Sequence, residues 1–211
     1  SFTFTIKGSE WIAGQAFPFT TVAGHETQKV GANGTFEAQA SSRVFIGPVF
    51  DDSKKLWRVL FSPIRASGEI PYGYFPTANR IDTLQYGITE IKGLVEQFGR
   101  LLIFGTTTFL VADVSGDNQG QVIEQFQRIG TTSYRTIKNI DGLIYFSSLD
   151  SPLEVFDGNR IAVPSPGFVI KDAWDSLTQA QKQSAFSGYC KKLKAYVIRF
   201  GTRNFVYDTR L

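Results

Sequence analysis

The chain has 211 residues, and 22 lysines and arginines stand against 19 aspartates and glutamates, a formal charge of +3. That charge is too small to imply nucleic acid or an anionic membrane as a partner by itself. A chain of this length buries about 70% of its unfolded surface and needs no disulfide; Cys190, the sole cysteine, could form none within it.

No apolar run approaches the ~20 residues that span a bilayer, so no membrane partner is expected. With 42% hydrophobic and 14% aromatic residues the composition argues against disorder. Charged residues make up 19%, below the ~25% of an ordinary soluble domain, and a more neutral surface suits a subunit of an assembly. There is no methionine, which leads us to expect a processed chain or a piece of a longer one. Nineteen Phe and eight Tyr, with abundant Thr, Val, Ile and Gly, form a vocabulary of strands and turns.

In chain order, Phe2-Thr3-Phe4-Thr5-Ile6-Lys7 alternates strictly and reads as a half-buried strand ended by Gly8. A looser stretch follows, with a tight turn at Asn33-Gly34. From residue 42 hairpins recur. Arg43–Gly47 is answered by Leu56–Ser62, and Leu101–Phe104 by Phe109–Asp113. Leu143–Phe146 is answered by Leu153–Gly158, and Ala195–Phe200 by Asn204–Asp208. Between them, Gln121–Phe126 and Ser133–Ile137 read as short strands. One helix is expected at Leu177–Ala185, capped by Asp175 or Ser176.

The second strands of these hairpins end at Ser62, Asp113, Asp157 and Asp208, at intervals of 51, 44 and 51 residues. A repeat of ~40–50 residues built on antiparallel strands is the interval of a β-propeller blade. The expected fold is therefore all-β and propeller-like. It has about four blades of antiparallel strands, as a small ring or as a segment of a larger propeller. Residues 1–211 form a single domain or fragment, with a looser region at 1–41 and the repeated blades at 42–211.

Gly130-Thr131-Thr132-Ser133-Tyr134-Arg135, Asn139-Ile140-Asp141-Gly142-Leu143-Ile144-Tyr145-Phe146 and Val155-Phe156-Asp157-Gly158 together resemble a blade of the propeller-bearing structural proteins of tailed phages. These are the tail nozzle (tail tubular) and head-to-tail stabilisation proteins. Arg43–Val49, Leu60–Pro63 and Leu101–Phe104 are similar to neighbouring blades, as is Phe205–Asp208. The resemblance implies a non-enzymatic virion component, made in the host cytoplasm. It also implies a homo-oligomeric ring, other tail proteins as partners and passive contact with DNA in a channel. Members of that group are several times longer and carry added domains.

Candidate chemistry is sparse. His25 is the sole histidine, and no Gly-x-Ser-x-Gly elbow accompanies it. One His and one Cys exclude the usual zinc sites, and no cofactor is expected. Asp113, Ser115, Asp117 and Glu124 mimic a calcium loop, but Asn118 stands where the turn glycine belongs. Asp113, Asp157 and Asp208 recur at one position, which fits turn chemistry better than an active site. Lys191, Lys192, Lys194, Arg199 and Arg203 make the end of the chain basic. Read as a strand, Lys192 and Lys194 share a face with Tyr196 and Lys191 lies opposite, a split that suits a solvated strand edge; if a channel carries DNA, Lys192 and Lys194 are the expected lining. A carbohydrate-binding propeller module is the rival reading, with the scattered Trp11, Trp57 and Trp174 as stacking candidates; a propeller glycosidase ranks third.

Overall fold

Each of the four expected hairpins forms, and each supplies the second and third strands of an antiparallel sheet. The computed structural model describes residues 29–30, 36–40, 43–51, 56–62, 79–115 and 120–210. The expected strand at Phe2–Lys7, the Asn33-Gly34 turn, His25 and Trp11 lie outside the described residues.

The first sheet pairs β1 (Lys29–Val30) and β2 (Phe36–Ala40) with one edge of β3 (Arg43–Asp51), followed by β4 (Leu56–Phe61) and β5 (Arg80–Asp82). The second runs β6 (Gly93–Gln97), β7 (Arg100–Phe104), β8 (Thr108–Asp113) and β9 (Gln121–Gln127). The third runs β10 (Lys138–Ile140), β11 (Leu143–Phe146), β12 (Glu154–Phe156) and β13 (Ile161–Ala162). The fourth has three strands, β14 (Phe186–Cys190), β15 (Ala195–Phe200) and β16 (Arg203–Asp208). The fold is therefore mainly antiparallel β, in four small sheets that follow one another along the chain.

The sheets pack face to face in chain order. In β7, Leu101 and Ile103 face the first sheet and join Phe45, Val59 and Phe61, whereas Leu102 and Phe104 face the third. The period-2 alternation of a strand thus places apolar residues on both faces. The second and third sheets meet through Phe104, Phe109, Val111, Ile144, Phe146 and Phe156. The third and fourth meet through Tyr145, Tyr196, Ile198 and Phe200, with Trp174 beside them. Each fully buried phenylalanine contributes roughly 2–3 kcal/mol of transfer free energy. Among the described residues no buried cluster joins the fourth sheet to the first. The first strands also adjoin in order: β2 lies against β6, β6 against β10, and β10 against β14.

Close approach between sheets needs glycine at two points. A Cβ on Gly130 would collide with the Gly105 carbonyl, where the connector into the third sheet crosses the β7–β8 turn. At Gly142 (φ 86°) the Phe98 ring occupies the space a side chain would need.

Two local expectations are corrected. Ser133–Ile137 is not a strand; Tyr134–Thr136 is a 3₁₀ turn. Its cause is the Thr136 hydroxyl, which donates to the Ser133 carbonyl at 2.7 Å and offers the backbone a local alternative to a ladder. The helix expected at Leu177–Ala185 forms only as one turn, α3 (Gln179–Gln183), and two further one-turn helices precede it, α1 (Ser165–Val169) and α2 (Lys171–Asp175). The cap of α3 is Thr178, in a reciprocal capping box with Gln181. Asp175 ends α2 and pairs with Lys171 at 2.8 Å.

Candidate functional site

The recurring Asp positions act as turn formers. Ser62, Asp113, Asp157 and Asp208 all lie at or just after the end of the third strand of their sheet. Asp113 accepts from the Ser115 amide, Asp157 from the Asn159 and Arg160 amides, and Asp208 from the Arg210 amide. These bonds favour the charged form. Hydrogen bonds from Ser115 and from the Arg160 amide hold Asp113 and Asp157 below the ordinary range, and Arg210 lowers Asp208 to about 2. Among the described residues no group of three or more His, Cys, Asp or Glu could hold a metal. Residues 116–119 of the calcium-loop mimic lie outside them.

Lys192 and Lys194 do not lie on a strand. They belong to the four-residue turn between Cys190 and Ala195, which pair across β14 and β15. Lys194 adopts φ 51°, and its carbonyl accepts from both the amide and the hydroxyl of Thr209. Its ammonium lies 3.9 Å from Asp141. The face shared with Tyr196 is therefore absent, because β15 begins only at Ala195. Trp174 is a core residue whose indole N–H donates to the Leu149 carbonyl, and Trp57 is half-buried.

The described concave surface lies elsewhere. Two adjoining hollows, of about 500 and 460 Å³, share Tyr134 and Arg135. The smaller is completed by Lys138 at the start of β10 and by Phe186 and Ser187 at the start of β14. Their convergence follows from the 3₁₀ turn, which aims Tyr134 outward, and from Ser187, whose hydroxyl bonds the Arg135 and Thr136 carbonyls and ties β14 to that turn. Tyr134 and Phe186 are each about half exposed, at 47% and 44%. The Arg135 guanidinium lies 5.8 Å from the Tyr134 ring centre, and Arg199 lies 5.8 Å from that of Phe186. Burial pulls the Lys138 ammonium below the usual lysine range. No carboxylate lines this smaller hollow.

The larger hollow adds Glu90 and Lys92, paired with each other at 2.6 Å, together with Thr132 and Gln183. Thr132 is 96% buried, and among the described residues its hydroxyl has no hydrogen-bond partner.

A second polar feature lies under the helices. Glu154, at the start of β12, is 5% exposed; one carboxylate oxygen accepts from Ser148 Oγ at 2.6 Å. Among the described residues the other oxygen is buried and unpartnered. Desolvation raises this carboxyl to about 7. Above it the Leu149 carbonyl accepts from both Trp174 and Lys182.

Sequence reasoning missed Tyr134, Arg135, Lys138 and Phe186 as a group. They lie on three elements, and reading Ser133–Ile137 as a strand sends Tyr134 and Arg135 to opposite faces. No family model matches the chain, and a search of curated proteins finds no match.

Proposed function

We propose that the chain is a propeller-like structural subunit of a phage tail or head-to-tail connection, working by rigid contact with neighbouring copies and other tail proteins. The observation that carries this reading is the sequence of cognate sheets. Each is antiparallel, and their opening edge strands adjoin in turn, β2 with β6, β6 with β10 and β10 with β14. Each of the first three packs a face on the sheet that follows, an arrangement that suits blades set around an axis.

The far face of the fourth sheet supports assembly. Val206 is 67% exposed there, in one cross-strand row with Val197 and Gly188. The first three sheets each bury a face of this kind against a successor, and a scaffold subunit would cover this one with a neighbour. Lys192 and Lys194 lie on the turn that leaves β14, the first strand of that sheet. In this reading they stand at one mouth of the central channel.

Light scattering across a concentration series tests the proposal. Concentration-dependent assembly, weakened by Val206→Asp, is expected. A chain that stays monomeric at every concentration and binds neutral glycans would replace it with the carbohydrate-binding reading.

A further inference from the structure

We infer that the paired hollows around Tyr134 and Arg135 form a binding site for a phosphorylated nucleoside, either free or within a short single strand. This goes beyond the scaffold role and rests on different residues.

The smaller hollow offers two half-exposed aromatic rings, Tyr134 and Phe186, and two cations, Arg135 and Lys138. Arg199 lies against the outer ring as a third cation. Rings give a planar base a stacking surface, and cations beside them meet phosphate. A carboxylate there would repel the phosphate, and none lines the hollow. Among the described residues Lys138 has no ion-pair partner, although its ammonium is partly desolvated. An anion would restore what burial removes. In the larger hollow Glu90 is neutralised by Lys92. Among the described residues the buried hydroxyl of Thr132, which lines that hollow, has no hydrogen-bond partner. Volumes of about 460 and 500 Å³ are each of the size that accepts one small ligand. A shared wall at Tyr134 and Arg135 would let two successive nucleotides sit one on each side.

The test is fluorescence anisotropy of a labelled oligothymidylate on the full chain, with thymidine monophosphate, inorganic phosphate and an oligogalacturonate as competitors. Binding is expected, and its affinity should fall about sevenfold between 50 and 200 mM salt if two phosphates are held by Arg135 and Lys138. Tyr134→Ala is expected to weaken binding about tenfold or more through lost stacking. Lys138→Gln, at a half-buried site, should flatten the salt dependence and gives an independent readout if the tyrosine variant unfolds. Competition by the monophosphate at the oligomer's own affinity identifies a free nucleotide as the ligand; a much tighter oligomer identifies a strand. Either result supports the site. Three results overturn it: no binding, equal competition by inorganic phosphate, or tighter binding of the oligogalacturonate. Failure of this test leaves the assembly state untouched, so it is distinguishable from failure of the scaffold reading.

Discussion

The junction between the second and third sheets and the junction between the third and fourth solve one packing problem with different chemistry. The former is a phenylalanine cluster. Phe109 touches Phe104, Phe126, Phe146 and Phe156 at ring separations of 4.5 to 6.1 Å, in stacked and edge-on geometries. The latter stacks Tyr145 on Tyr196 at 5.4 Å and bonds the Tyr196 hydroxyl to the Thr136 carbonyl. It is roofed by α2 and α3, whose Trp174 and Lys182 reach the turn above Glu154. The two junctions perform different tasks. Apolar rings give strength that is indifferent to pH, whereas hydroxyls, an indole and a carboxyl give register and make stability respond to protons.

The largest effect should come from the apolar junction. Phe109→Ala is expected to lose about 3–5 kcal/mol, equally at every pH, in urea unfolding. A loss below about 1 kcal/mol would mean that the two sheets are not packed as described.

Glu154 sharpens the contrast. Its folded-state value of about 7 lies above the ordinary carboxyl value, so the folded chain holds the proton more tightly. The stability from this group is complete below the ordinary carboxyl value and is lost as pH rises through about 7. Wild-type protein should lose roughly 2–3 kcal/mol between pH 5 and pH 8, and Glu154→Gln should abolish that slope. An unchanged slope in the variant would assign the titration elsewhere.

Tyr196→Phe is a smaller probe of the polar junction. The Thr136 carbonyl keeps the Ser187 hydroxyl as a donor, so the expected cost is about 1 kcal/mol. The smallest effect belongs to an exposed turn. Asp208 titrates near 2, so its contribution is present above the ordinary carboxyl range and is lost as pH falls through about 2. Asp208→Asn should alter the acid limb of the stability profile and leave neutral stability within error.

The sequence carried the middle of each sheet clearly and the edges, β9 at Gln121–Gln127 apart, poorly, for a physical reason. Leu101–Phe104 is buried on both faces and Ala195–Phe200 on the face of Tyr196, Ile198 and Phe200, and both show as apolar runs. Edge strands such as Lys138-Asn139-Ile140 and Ile161-Ala162 are too short to show a period. The five-residue helices likewise lack an amphipathic stripe, although Thr178 and Gln181 spell the capping box of α3. The turn role of the repeated aspartates was legible because a carboxylate bonding the amide two residues on is local chemistry. The hollow was not, because Tyr134, Lys138 and Phe186 meet only through tertiary packing.

Ring-to-ring nuclear Overhauser effects in a sample labelled at Phe and Tyr test the ordered stacking of sheets most directly. Contacts are predicted between Phe104 and Phe146, Phe109 and Phe156, and Tyr145 and Tyr196. Cross-peaks that instead join rings of the second sheet to rings of the fourth, with those three pairs silent, would contradict the account.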